Sequence, residues 1–557
     1  MDESTSTLSS LKGKSNSASL RTAASSQVAL PLTDFDLEDL QEKQGDDWKP
    51  QKNELIIMIS LATISLMVSL DATILVTVLP DIARVLNGTS VDAFWAGTSY
   101  LLTSAIFQPV IASISEVFGR QQLLLFSITF FTIGSILCAV ANDFQVLLAG
   151  RSIQGIGGGG IITLSQVIYC DFVPLRQRPK YFAMVLGAWS IVGTIIGPVI
   201  GGTLVEKANW RWVFYINFPF CFLGFILALI FIKLNAVSHL TFSEMLQRTD
   251  WVGAILFISG MTSFLIGLSW GGVQYAWDSA QTLVPIIVGL GGVAVFALWQ
   301  WYKPSNTLLP KSLFYCSSAV AAFSCAFANG LVLLAALYYV PFFAMAVRGS
   351  SSVKAGIDVF PALFLLIPGS ILVSILSTRL GRFRWAIWGG WAITILGTGL
   401  MIMFNEDTKT PVWSTVLAVL GIGCGMILTS VNVGIQAISK IEDCAMAASM
   451  YGFMRSVGMP IGVSLSGAIF QNAMSSKLTA LGLPSSIAHD SERYVFVLRK
   501  MAPTNPTRIA ALQAYVYGFR GVWILMTAVS GSAFMISLLI KKFDMDKILL
   551  SKFSARQ

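Results

Sequence analysis

Charge is what this sequence has least of. Asp, Glu, Lys and Arg make up 12% of its 557 residues while 55% are hydrophobic, and a soluble multidomain chain would need about twice that charge on its surface. A soluble protein is excluded, and the chain reads as polytopic in a membrane. Histidine is limited to His239 and His489, both in predicted loops. The seven cysteines (Cys138, Cys170, Cys221, Cys316, Cys325, Cys424 and Cys444) are scattered, mostly within apolar segments, with no CxxC or Cys/His spacing. Neither a disulfide framework nor a metal centre is expected, and no cofactor. The GxxxxGK[ST] phosphate loop is missing, so ATP is not expected to drive whatever the chain does. No nucleophile, metal cluster or carboxylate pair has usable spacing, which argues against an enzyme. Residues 1–50 lack an apolar run followed by a small-residue cleavage site. Rich in Ser, Thr and charge, they are expected to form a disordered cytosolic tail with no cleavable signal peptide. The net charge of +8 does not point to nucleic acid, because the basic residues stand singly in short loops, where membrane orientation accounts for them.

What is present is a succession of apolar runs. From Glu54 onward roughly fourteen stretches have the length of a bilayer-spanning helix, at about 54–80, 93–115, 122–141, 145–170, 181–204, 212–233, 251–270, 282–301, 318–347, 355–377, 385–404, 412–438, 446–470 and 521–541. An even count puts both termini on one side. With that side cytosolic, Arg120, Arg176, Arg178, Lys180, Lys233, Arg248, Lys303, Lys311, Arg379, Arg382, Arg384 and Lys440 fall in cytosolic loops, while the short outer loops hold about half as many basic residues. Residues 471–520 form the one long outer loop of this reading and 542–557 a cytosolic tail. Asn87-Gly-Thr89 is an outer glycosylation sequon. An internal echo joins Ser115-Glu-Val-Phe-Gly119-Arg120, closing the second span, to Ser377-Thr-Arg-Leu-Gly381-Arg382, closing the tenth. The spacing predicts an all-α protein of two parallel six-helix halves, 51–240 and 313–541, separated by two extra spans within 241–312.

Within this apolar background a few residues stand out. Asp71 lies inside the first span, where a carboxylate costs on the order of 2.5–3.5 kcal/mol on insertion scales; proton binding is the first reading, a structural partner to a buried Arg the second. Arg151 and Gln154 share a face of the fourth span, so Arg151 should meet a cavity or an acid and could modulate proton exchange. Gly155, Gly157 and Gly160 match GxGxxG, but membrane helix on both flanks rules out a dinucleotide site. In the fifth span Gly193, Gly197 and Gly201 recur every fourth residue beside Pro198 and Gly202, a face on which a neighbouring helix can approach backbone to backbone. Such a close, bent contact suits the interface between moving bundles of an alternating-access carrier. Arg455, between glycines and Pro460, repeats the theme in the thirteenth span. Trp189, Asn217, Asn329, Tyr338, Tyr339, Asn432 and Gln436, with Gln154 and Arg455, are candidates for a cavity wall, although each of these residue types more often packs or bonds between helices.

These residues resemble the major facilitator superfamily, and within it the fourteen-span drug:proton antiporters of the fungal efflux branch. The resemblance covers nearly everything from Glu54 to Lys541. Gly193, Gly197, Pro198, Gly201 and Gly202 match the antiporter motif of the fifth helix. Arg151, Gln154, Gly155 and Gly157 match the fourth-helix motif, whose Arg the family assigns to proton transfer. Asp71, Thr73 and Pro80 match the first-helix motif, and Glu116, Gly119 and Arg120 the cytosolic lock, although Glu116-Val117 stands where the family usually carries Asp followed by Arg. Ala344-Met345 replaces a common Phe-Gln, which hints at a more apolar cargo. The resemblance implies a plasma-membrane, monomeric exporter of a hydrophobic or amphipathic drug, toxin or secondary metabolite in exchange for protons, with small-molecule substrate, protons and the bilayer as its only partners. Proton-coupled importers of siderophores and vacuolar amino-acid carriers look like close relatives, and a vacuolar membrane is the alternative location. A receptor or scaffold that has lost transport is a further alternative. The glycine-proline face favours exchange over import, and retention of Asp71 and Arg151 disfavours a dead scaffold.

Overall fold

The computed structural model describes residues 49–545 apart from 89, 189–192, 194–195, 233–240, 273, 304–306, 490 and 503. Trp189 and most of the turn preceding Gly197 therefore lie outside the described residues. The long helices are α1 (Lys52–Val85), α2 (Ser90–Phe118), α3 (Arg120–Ala139), α4 (Phe144–Phe172), α5 (Arg178–Ala188), α6 (Gly197–Lys207) and α7 (Asn217–Phe231). Then come α8 (Phe242–Arg248), α9 (Trp251–Trp270) and α10 (Ala280–Tyr302). The rest of the chain forms α11 (Ser317–Ala346), α12 (Phe360–Leu380), α13 (Arg384–Met401), α14 (Thr410–Ile438), α15 (Cys444–Ala480), α16 (Ser491–Lys500) and α17 (Pro506–Ser537). Helix starts carry their own stop for orphan amides: Asp143 accepts from the Val146 amide at 2.8 Å and Asn505 from that of Thr507 at 2.9 Å.

Among the described residues, 11 helices are long and apolar enough to cross a membrane. The roughly fourteen spans expected from the sequence are not all reached on that measure. Helix α4 carries Arg151, Gln154 and a glycine run, α13 opens on Arg384 and is rich in Trp and Gly, and the fifth span is interrupted by residues outside the description. The expected outer loop 471–520 is shorter than the sequence suggested. Helix α15 runs on to Ala480 and α17 already begins at Pro506. Polar residues such as Gln471, Asn472 and Arg508 lowered the apolar signal there, but Met474, Leu478, Ala511, Ala514 and Tyr515 continue the buried helical face.

Helices α1 to α7 pack on one another, as do α11 to α17, and the two groups meet where α2 and α4 lie along α15 and where α5 lies along α12. The echo read in the sequence is only partial in the backbone: Gly119 and Gly381 both take positive φ, +98° and +61°, which side-chain-bearing residues rarely adopt, but Gly119 has ψ 144° where Gly381 is left-handed with ψ 22°. The extra pair α9/α10 stands to one side. Helix α9 touches both groups, through Trp95–Trp270 and Phe257–Phe453 ring contacts at 6.4 and 5.4 Å. Helix α10 packs on α9, with Gly289, Gly292 and Gly260 letting the backbones approach, and turns Leu283, Val284, Ile287, Val288 and Leu298 outward.

The pair is pinned at its base by Asp250. Its carboxylate caps α9 through the Gly253 amide and also receives Gln300 Nε2 at 2.7 Å, Trp299 Nε1 at 3.1 Å and Lys303 Nζ at 2.9 Å. Burial alone would raise this carboxyl, but Lys303 and the hydrogen bonds outweigh it and hold it below the usual range. A depressed folded value gives stability that is complete above the ordinary carboxylate range near pH 4 and is lost as pH falls through the folded value. Thermal melts from pH 7 to pH 3 should therefore show a larger loss for the native chain than for Asp250→Asn. Equal losses would place the acid sensitivity elsewhere.

Orientation is open to a direct test. In a cysteine-free background, Ser485→Cys, between α15 and α16, should label from outside intact cells, and Gln247→Cys, on α8, only after permeabilisation. The reverse pattern would invert the topology expected from the basic loops.

Candidate functional site: a buried carboxylate and its helix contacts

Asp71 sits near the middle of α1 and is 0% exposed. Arg151 Nη1, from α4, donates to Asp71 Oδ2 at 2.7 Å. Gln154 Nε2, one turn further along α4, donates to Asp71 Oδ1 at 2.9 Å, and Asn217 Nδ2, from the start of α7, donates to the same oxygen at 2.7 Å. The donors are themselves fixed. Gln154 Oε1 accepts from Arg151 Nη1 at 2.6 Å, Arg151 Nε donates to the Ala96 carbonyl of α2 at 3.2 Å, and the guanidinium lies 4.3 Å from the centre of the Tyr100 ring. Gln154 Nε2 also reaches Ser135 Oγ of α3 at 2.9 Å. The carboxylate joins α1, α4 and α7 directly, and its donors extend the network to α2 and α3. A charge pair this deep is tolerated because the carboxylate accepts three hydrogen bonds, one of them from its counter-charge. Gln154 and Asn217, expected on a cavity wall, are instead directed at Asp71.

Asp71 is bracketed by the glycine face of the fifth span. A Cβ added at Gly193 would run into Ser69, and one added at Gly197 would strike Thr73 and stand 3.2 Å from the Ile74 amide nitrogen. Thr73 Oγ1 donates to the Gly193 carbonyl at 2.5 Å. Gly193 and Ile196 take a wide helical turn just before α6 begins at Gly197-Pro198, as expected where proline removes a donor. Gly201 is buried in α6. The sequence suggested a contact between moving bundles. The structure places this one between the fifth span and α1, inside the first group of helices, because Ser69 and Thr73 are small enough to accept it.

The glycines of α4 allow close packing. Added methyls at Gly155 and Gly159 would hit α2 backbone, and at Gly157 the α3 backbone.

The two helix groups are joined on the face carrying Arg178. This residue caps α4 by donating to the carbonyls of Val173 and Cys170 at 2.8 and 2.7 Å, and reaches across to Gln436 Oε1 of α14 at 2.7 Å. Gln436 in turn donates to Asn432 Oδ1 at 2.9 Å. Arg176 donates to the Thr378 carbonyl at 3.1 Å, at the negative end of α12. Asn432 and Gln436, read as cavity candidates, therefore belong to this closure. Nearby, Arg120 pairs with Asp171 at 3.2 Å and bonds Ser115 Oγ at 2.6 Å, with Glu116 a looser partner at 3.8 Å. Asp171 was not singled out in the sequence; an acid at the end of the span next to the Gly119-Arg120 turn was the available signal.

The remaining candidates are dispersed. Tyr339 is buried among Phe342 and Phe470, while Tyr338 is partly exposed and donates to Glu492 of α16 at 2.5 Å. Asn329 is buried, and its Oδ1 has no hydrogen-bond partner among the described residues. The Arg455 carbonyl lies where a side chain at Gly330 would be, so α11 and α15 cross in backbone contact. Asn87 is exposed at the turn after α1.

The sequence pattern of the Major Facilitator Superfamily matches residues 61–463. The chain is 41% identical over 507 residues to MFS transporter L2 of Phoma sp., covering 90% of this chain and 84% of that one. It is 30% identical over 559 residues to the MFS-type efflux pump LUC4 of Fusarium sp., covering 98% and 97%. Among solved structures, the human organic anion transporter MFSD10 (TETRAN) matches with a TM-score of 0.54 at 15% identity, covering 86% of this chain and 100% of that one. The proton:xylose symporter XylE matches with a TM-score of 0.54 at 13% identity, covering 89% and 97%. At those identities the likeness is one of fold.

Proposed function

Because this chain belongs to the Major Facilitator Superfamily and is a multi-pass membrane transporter, we propose that it is a secondary active exporter. It moves a hydrophobic or amphipathic small molecule from the cytosol or inner leaflet outward in exchange for protons, as a monomer of the plasma membrane. The single observation that carries the reading is the fully buried Asp71, held by Arg151, Gln154 and Asn217 directly beside the α1 contact with Gly193 and Gly197. Protonation of Asp71 removes the charge that balances Arg151, loosens the ties of α1 to α4 and α7, and lets α1 shift along its small-residue contact. Discharge restores them. The charge change and the mechanical contact thus share one stretch of α1, Ser69 to Thr73. Relatives that carry the name efflux pump, among them one from Gibberella fujikuroi at 28% identity, support the outward direction.

The test is a gene deletion with metabolites compared between cells and medium, followed by flux of the retained compound in vesicles with and without an imposed pH gradient. Retention in the deletion strain and gradient-dependent flux are expected. Flux independent of the gradient would remove proton exchange from the reading, and depletion in place of retention would reverse its direction.

A further inference from the structure

Two buried amide oxygens at the junction of the helix groups have no donor among the described residues. Gln108 of α2 is 1% exposed, and its Nε2 donates to Ser456 Oγ of α15 at 3.0 Å. The Ser449 hydroxyl, also on α15, donates to the Gln108 main-chain carbonyl at 3.5 Å. Gln108 Oε1 has no hydrogen-bond partner, and neither has the buried Oε1 of Gln166 on α4. Both face one notch. A methyl group built at Gly452 of α15 would stand 2.8 Å from Gln108 Oε1 and 3.8 Å from Gln166 Oε1. Unmade hydrogen bonds of this kind are costly in a dry interface, and a pair of acceptors is satisfied only by a donor.

We infer that Gln108, Gln166 and the notch at Gly452 form a cargo-recognition subsite for a hydrogen-bond-donor group, a hydroxyl or amide N–H on an otherwise apolar molecule. The inference rests on the export reading for the word cargo, but not for binding. Gln108 and Gln166 come from the first helix group and Gly452 from the second, so a ligand seated there touches both and senses their relative movement. Along α4, Gln166 stands between Cys170, whose carbonyl Arg178 caps, and Arg151, which holds Asp71. Its chemistry selects: a hydroxyl is accepted, whereas an ether or ketone oxygen in the same place opposes lone pairs to lone pairs and leaves both amides unpaired.

The test uses the purified full chain in lipid nanodiscs and a pair of probes, 4-octylphenol and 4-octylanisole, in which a methyl group replaces the donor hydrogen. The phenol should raise the melting temperature by at least twice the shift given by the anisole. Gln108→Met and Gln166→Met, similar in size but without the acceptor, should reduce the phenol shift to that of the anisole. Gly452→Ala, which fills the notch and keeps both acceptors, should do the same and serves should a Met variant fail to fold. Equal shifts from the two probes in the native chain, or a phenol preference that survives in all three variants, would overturn the inference. The measurement needs no pH gradient and no flux, so a failure of proton-driven export leaves its outcome intact, and the reverse holds as well.

Discussion

Replacing Asp71 by Asn is expected to reduce pH-driven efflux to background. An asparagine can keep contacts to Gln154 and Asn217, but it cannot lose and regain charge, and it leaves Arg151 buried opposite a neutral group. Removing one partner of a buried ion pair typically costs about 3–5 kcal/mol, so the single variant should also melt earlier. The double variant Asp71→Asn/Arg151→Gln separates the two effects. With no orphan charge it should recover most of the lost thermal stability and none of the coupled efflux. If the double variant exports along a pH gradient as the native chain does, Asp71 is a structural partner of Arg151 and proton exchange occurs elsewhere.

The second large effect is expected at Gly197. Valine there places a branched side chain against Thr73 and the Ile74 backbone, and overpacking of this kind costs about 1–3 kcal/mol. Because the cost falls on the conformation in which α1 and the fifth span are in contact, an imbalance of that size shifts the population of alternating states by roughly 5- to 150-fold. Efflux should drop by a comparable factor while membrane insertion and yield hold. Gly531→Ala, within α17 where an added methyl meets nothing within 4 Å, should be silent. Equal impairment by the two substitutions, or normal efflux by Gly197→Val, would show that this contact does not move during transport.

The two residues on which the first prediction turns were each visible in the sequence, because an ionisable group in an apolar run is conspicuous at any position. Their pairing was not. Asp71, Arg151 and Asn217 are brought together only by the way α1, α4 and α7 pack, and no local pattern encodes that. Polar amides fared worse still. Gln154, Asn217, Asn432 and Gln436 look alike as single polar residues in membrane helices, yet the first two bind the buried carboxylate and the last two belong to the closure around Arg178. Gln108 and Gln166 carry no mark in the sequence, since what sets them apart is an amide oxygen left without a donor among the described residues, and only the packing of α2, α4 and α15 decides that. The glycine face was read as a close interface between moving bundles; at Gly193 and Gly197 the close neighbour is α1 of the same group, which the glycines could not name, because small residues announce that something approaches but not what. Helix ends near Ala480 and Pro506 were missed for a simpler reason: a window of hydropathy averages over all faces, whereas burial follows one.

The outlying position of α10 ties this transporter to the lipid around it. The helix has 23 residues and so spans about 35 Å at 1.5 Å per residue, somewhat more than the roughly 30 Å of an average hydrocarbon core. Its outward face is apolar and its helix packing is chiefly on α9, so its tilt is expected to follow bilayer thickness. Helix α9 passes that tilt to both helix groups, against Trp95 on one and Phe453 on the other. A thick, sterol-rich membrane lets α10 stand upright, and a thin one leans it over. The same chain should therefore turn over at different rates in short-tailed and long-tailed phospholipids, with acyl length acting on the carrier as a mechanical load.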